Sequence, residues 1–120
     1  MIVVRGAVNI PSNTEDEIRK GTLELFHAVL KESGVKPSRV ISLLISATPD
    51  ITASYPCAAI RNSGYETLPM LCVQEMDVDG SLPLTIRFLL TARGRNRRLF
   101  CYLRETSRLR GETTGQEAVP

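Results

Sequence analysis

A chain of 120 residues has room for one domain with a single modest core, and a hydrophobic share of 42% beside 23% charged residues is ordinary for a globular protein. No uninterrupted apolar run approaches the roughly 20 residues of a membrane span, which argues against a transmembrane segment. The net charge of +2 is small, yet twelve of the fifteen basic residues are Arg, and seven of those lie between Arg93 and Arg110. Arg suits planar, bidentate recognition of carboxylate and phosphate, so a small polyanionic ligand and a nucleic acid both stay open.

The chain starts directly on Ile2-Val3-Val4-Arg5, too short and too strand-like for a secretory signal. Ile2 to Val8 is β-rich and reads as a first strand, with Arg5 and Gly6 inside it. Pro11-Ser12-Asn13 is a turn. Thr14 and Glu17 then make a capping box, and Glu15, Asp16 and Glu17 complement the positive end of a helix dipole. Ile18, Thr22, Leu25, Phe26, Val29 and Leu30 follow helical spacing as far as Gly34, a natural C-terminal stop. His27, the one histidine, falls off this apolar stripe and reads as a surface residue. Three cysteines, odd in number and without zinc spacing, fit a reducing cytoplasm better than a disulfide framework, and with a single His no metal cluster is expected.

Pro37-Ser38 opens a second strand, Arg39 to Ala47, whose Val40–Ile45 centre has the continuous apolar character of a buried, parallel strand. Thr48-Pro49-Asp50 breaks it. Pro56 suits the first position of a short helix to about Asn62, ended by Gly64. Three further strands are expected at Leu68–Val73, Leu84–Thr91 and Leu99–Leu103. Asp79-Gly80 marks a turn, Arg93-Gly94-Arg95-Asn96 a loop or hairpin connection, and the Arg93–Arg98 cluster reads as a solvated loop. A single domain would thus fill residues 1–110, and the polar stretch 111–120 would be a flexible tail. The order predicts an α/β (α+β) fold, a mixed five-stranded sheet with one long helix and short ones. One long helix cannot cover both faces of such a sheet, so an oligomer is expected.

Two charges stand where apolar residues are expected. Glu75 follows an apolar strand, and Arg87 interrupts Leu84-Thr85-Ile86-Arg87-Phe88-Leu89-Leu90. A buried charge costs several kcal/mol unless it is paired or meets a charged ligand. Arg5, the Tyr55–Arg61 segment, Cys72, Tyr102 and Arg110 add further polar groups. Arginines, a carboxylate and tyrosine hydroxyls suit a small dianionic ligand that also carries a hydroxyl. A Ser-His-Asp set, a phosphate-binding Gly loop and a metal motif are absent from the sequence. Catalysis would therefore rest on charge and positioning.

Val4-Arg5-Gly6-Ala7, Ser46-Ala47-Thr48-Pro49-Asp50, Cys72 followed by Gln74-Glu75-Met76-Asp77-Val78, and Ile86-Arg87 carry a resemblance that runs from about Val4 to Arg110. In that order and spacing the chain resembles the small trimeric α/β class of chorismate mutase, distinct from the all-helical class. The resemblance implies isomerisation of chorismate to prephenate by a Claisen rearrangement, on the route to phenylalanine and tyrosine. It also implies a homotrimer with pseudo-barrel packing, active sites at the subunit interfaces, and no cofactor.

By the same resemblance, Arg87 would hydrogen-bond the ether oxygen, where charge grows as the carbon–oxygen bond breaks. Glu75 would accept a hydrogen bond from the ring hydroxyl, with the Cys72 thiol or backbone beside it. Arg5 and Tyr102 would hold the side-chain carboxylate, and Val73 would line the site. Tyr55 and Arg61 would come from a neighbouring subunit, and Leu109 and Arg110 would belong to a closing C-terminal segment. Glu75 and Arg87 would then have separate targets on the ligand rather than forming a salt bridge. Tyr55 stands where the family commonly has Phe, and Ala58 where it can carry Lys. Two other readings fit parts of the sequence: a non-catalytic RNA or polyanion binder through Arg93–Arg110, and an imine or enamine deaminase on a similar trimeric scaffold.

Overall fold

The computed structural model describes residues 1–109 and 114–117. The apolar alternation of the N-terminal stretch gives strand β1, Ile2–Asn9, in which Ile2, Val4 and Val8 are buried. Helix α1 spans Glu15–Ser33. Thr14 caps it, its Oγ1 accepting a hydrogen bond from the Glu17 N–H at 3.2 Å. The Thr14 N–H donates to the Ser12 carbonyl at 3.0 Å rather than to Glu17, so half of the expected capping box is formed. Gly34, at φ 70°, ends it by donating to the Leu30 carbonyl at 2.9 Å. Ile18, Leu25, Phe26 and Val29 fill the buried stripe between those caps.

The remaining elements are β2 (Val40–Ala47), α2 (Pro56–Arg61), β3 (Met70–Gln74), β4 (Thr85–Ala92), β5 (Arg97–Tyr102) and β6 (Thr114–Glu117). They form one mixed sheet in the order β3-β2-β4-β1-β5-β6. The β2–β3 and β1–β5 pairs are parallel, and the other pairs are antiparallel. The α+β class holds, but the expected five strands are six. The added strand lies within the stretch read as a tail. Thr114-Gly115-Gln116-Glu117 has no apolar alternation to announce it, and its pairing comes from the exposed backbone of β5. Gly115 makes that approach possible, since a Cβ there would stand 2.8 Å from the Phe100 ring.

Two other departures concern short turns. Pro37–Arg39 form a 3-10 turn leading into β2 instead of its first residues. Arg104–Leu109 form a second 3-10 turn after β5. It docks on the end of β1: Leu103 N and Thr106 Oγ1 both donate to the Ala7 carbonyl, at 2.9 and 3.0 Å. Glu105 N donates to Asn9 Oδ1 at 2.9 Å. These partners are nearly a hundred residues apart in sequence, beyond the reach of any local pattern.

Helix α1 covers one face of the sheet. Val4, Val8, Leu43, Ile45, Ile86, Phe88 and Leu90 form the core beneath it. At Gly6 the helix comes so close that an added Cβ would lie 3.0 Å from Leu25 Cδ1, which gives the Arg5-Gly6-Ala7 run a packing reason. The other face is left open, with Ile41, Leu44, Leu71, Val73 and Leu89 all exposed. Strand β2 is therefore buried on one side only. The arginine cluster from Arg93 to Arg98, which runs from the loop after β4 into β5, is partly engaged in the fold. Arg97 donates to the Ser33 carbonyl at the C-terminal end of α1 (2.9 Å) and Arg93 to Ser38 O (3.2 Å). Among the described residues, no helix is long and apolar enough to cross a membrane.

Candidate functional site

Strand alternation decides which side chains share the open face. Ile86, Phe88 and Leu90 turn toward α1, so Arg87 and Leu89 point the other way. The register then aligns Tyr102, Ala7, Arg87, Ser46 and Val73 in one row across five strands. The next row runs Phe100, Arg5, Leu89, Leu44 and Leu71. Two arginines and a tyrosine distant in sequence become neighbours in this way. A concavity of about 260 Å³ opens between the rows, lined by Arg5, Leu44, Ser46, Arg87, Leu89 and Tyr102 among others. Tyr102 is buried and stacks on Phe100, ring centroids 5.9 Å apart.

Glu75 reaches the same face from the residue after β3. Its N–H donates to the Ala47 carbonyl at 2.9 Å, which fixes where the side chain departs. Its Oε1 accepts a hydrogen bond from Ser46 Oγ at 3.0 Å and lies 3.3 Å from Arg87 Nε. Its Oε2 accepts from Met76 N at 3.3 Å. Glu75 and Arg87 are thus ion-paired, where the sequence reading gives them separate targets. They also escape the cost of a buried charge, since the Arg87 side chain is 47% exposed and that of Glu75 31%. The reason is the two-residue period of β4, which sends Arg87 away from the core its apolar neighbours build. An ion pair this exposed contributes at most about 1 kcal/mol. An anionic ligand can displace it at little cost.

Cys72 lies on the opposite face. Its register partner is the buried Ile45, and its Sγ accepts a hydrogen bond from Cys57 N at 3.3 Å. Burial, helped by the adjoining Cys57, pushes the thiol up to about 12. The thiol stays protonated at physiological pH, and the sulfur does not join Arg87 and Glu75. Tyr55 precedes α2 and is strongly exposed, and Arg61 in the last turn of α2 donates to Cys57 Sγ at 3.6 Å. Tyr55, Ala58, Cys72 and Val73 border a second concavity of about 640 Å³ beside β3. The two concavities share no lining residue. Of the remaining candidates, Leu109 ends the second 3-10 turn, and Arg110 lies outside the described residues.

The Thr48-Pro49-Asp50 break sets the start of β4, and with it the register of Arg87. Thr48 Oγ1 accepts from Thr85 N and Asp50 Oδ2 from Leu84 N, both at 2.9 Å. Leu84 is held there at φ 49°, a left-handed conformation that a leucine rarely adopts. Ser46 is the site residue that the sequence reading passes over, although it sits inside one of the quoted motifs. Serines at 42 and 46 alternate with the buried Leu43 and Ile45 in β2, and of the two Ser46 is the register partner of Arg87, a signal that appears only with the pairing. Among the described residues no cluster of His, Cys, Asp or Glu could hold a metal ion.

The family model for chorismate mutase type I matches residues 1–113. The chorismate mutase AroH of Bacillus subtilis is 42% identical over 89 residues, 73% of this chain and 70% of that protein. The chorismate mutase AroH of Thermus thermophilus is 33% identical over 111 residues, covering 89% and 91%. A solved structure of chorismate mutase from Clostridium thermocellum superposes with a TM-score of 0.75 at 32% identity, covering 78% of this chain and 84% of that one.

Proposed function

The chain belongs to the type I chorismate mutase family and is an isomerase of chorismate, and we propose that the face bearing Arg5, Glu75, Arg87 and Tyr102 forms one side of its active site. The observation that carries this reading is the convergence of two arginines and a tyrosine on one concavity of the open face, with a carboxylate ion-paired to one of those arginines. Chorismate is a dianion with a ring hydroxyl, and its rearrangement breaks a carbon–oxygen bond while forming a carbon–carbon bond. Nothing is transferred to or from the protein, so neither a nucleophile nor a proton carrier is needed. A Cys72 thiol that stays protonated fits that chemistry.

Arg87 hydrogen-bonds the ether oxygen, whose charge is greater in the transition state than in the ground state, and so raises the rate as well as the affinity. Glu75 accepts from the ring hydroxyl, and the Cys72 backbone lies along the same segment. Arg5 and Tyr102 hold the side-chain carboxylate. Val73, in the same row as Ser46 and Arg87, lines the site, Tyr55 and Arg61 border it from a neighbouring copy, and Leu109 and Arg110 belong to the segment that closes it. The open apolar face supports a homotrimer in which the two concavities of adjacent subunits meet. Three free cysteines support a reducing compartment, the cytoplasm. The product would be prephenate, on the route to phenylalanine and tyrosine.

Purified protein mixed with chorismate should consume its ultraviolet absorbance and produce prephenate. No turnover above the uncatalysed rate would overturn the reading.

A further inference from the structure

We propose that Ser46 is a positioning residue of the isomerase, holding the Glu75 carboxylate in place when Arg87 leaves it for the ligand. The inference rests on the site described above and adds to it a role for a side chain that touches no reacting atom. Ser46 Oγ and Arg87 Nε converge on the same oxygen, Glu75 Oε1, at 3.0 and 3.3 Å. The two donors differ in freedom. Arg87 reaches Glu75 through a long, half-exposed stem, whereas the hydroxyl is one carbon from β2, which is flanked by β3 and β4. Ser46 is the register partner of Arg87 and lines the same concavity.

A ligand whose ether oxygen draws Arg87 away removes one of the two donors from Oε1. With Ser46 in place the carboxylate keeps a fixed, sheet-anchored donor and stays aimed at the site. Without it, the carboxylate is left with Met76 N, which donates to Oε2. Glu75 would then either hold Arg87 more firmly or swing out with it. Both outcomes remove charge from the ether oxygen and an acceptor from the ring hydroxyl. Packing does not call for a hydroxyl at this position, since strands favour β-branched and aromatic residues there.

The test compares kcat and KM on chorismate for the unmodified protein, S46A, S46T, E75A and the S46A/E75A double variant, with Tm and sedimentation for each. S46A should lose roughly ten- to a hundredfold in kcat/KM, the range for a hydrogen bond to a charged group, with kcat falling more than KM rises and Tm little changed. S46T, which keeps the hydroxyl, should retain most of the activity. In the E75A background S46A should cost nothing further, because the group it positions is gone. Full activity in S46A, or equal losses with and without Glu75, would overturn the role for Ser46 while leaving the isomerase reading intact. No turnover by the unmodified protein would overturn both.

Discussion

Arg87 is where a single side chain decides most. It is half exposed and weakly paired, so truncating it should leave the fold intact while removing the donor at the breaking bond. R87A is expected to lower kcat by about 10²–10³, the range for deleting one preorganised transition-state donor, with Tm unchanged within a few degrees. A loss confined to KM would make Arg87 a ground-state binder instead. Cys72 gives a second, independent prediction. Its thiol is raised by burial to about 12, from an ordinary value near 9.0 that it regains on unfolding. Between those values the folded chain keeps a proton that the unfolded chain has lost, so stability is full below about pH 9 and falls as pH rises toward 12. Denaturant titrations across that window should show the decline, and C72A should flatten it. Cys101, also raised by burial, adds a slope of the same sign that C72A leaves behind.

Among the elements, the long helix was legible from its residues because caps and stripe are local. Thr14, Gly34 and the apolar spacing between them act within a few residues, and all appear in the structure as predicted. The turn into β4 was legible only as a break. Its work is to hold Leu84 in a left-handed conformation by hydrogen bonds from across the sheet. Asp50→Ala should leave Leu84 N without its acceptor and cost about 1–3 kcal/mol, measured as a lower denaturant midpoint with an unchanged slope. A stability equal to that of the unmodified chain would show that water replaces the carboxylate. Strand β6 and the second 3-10 turn were not legible at all. Their hydrogen bonds go to β5 and to Ala7 and Asn9, and no local periodicity encodes a partner that far away.

At the scale of the whole molecule, the sheet has one face under α1 and one open, and the candidate site lies on the open one. Sedimentation should show a trimer. Charging that face with Ile41→Asp and Leu71→Asp, both exposed in the single chain and outside the Arg87 concavity, should give a folded monomer that no longer turns over chorismate. A monomeric unmodified protein with full activity would remove Tyr55 and Arg61 from the site. The sequence by itself determined the helix, the approximate strands, the class of fold and the family, because caps, alternation and short motifs are written in neighbouring residues. It also picked out Arg87 and Glu75 as charges out of place. Only the tertiary structure decided that they are partners on an open face, that the Cys72 sulfur belongs to the other side, and that Ser46 stands between them. Which face a strand side chain joins, and what lies beside it there, is set by register between strands far apart in the chain. That pairing exists only once the sheet has formed.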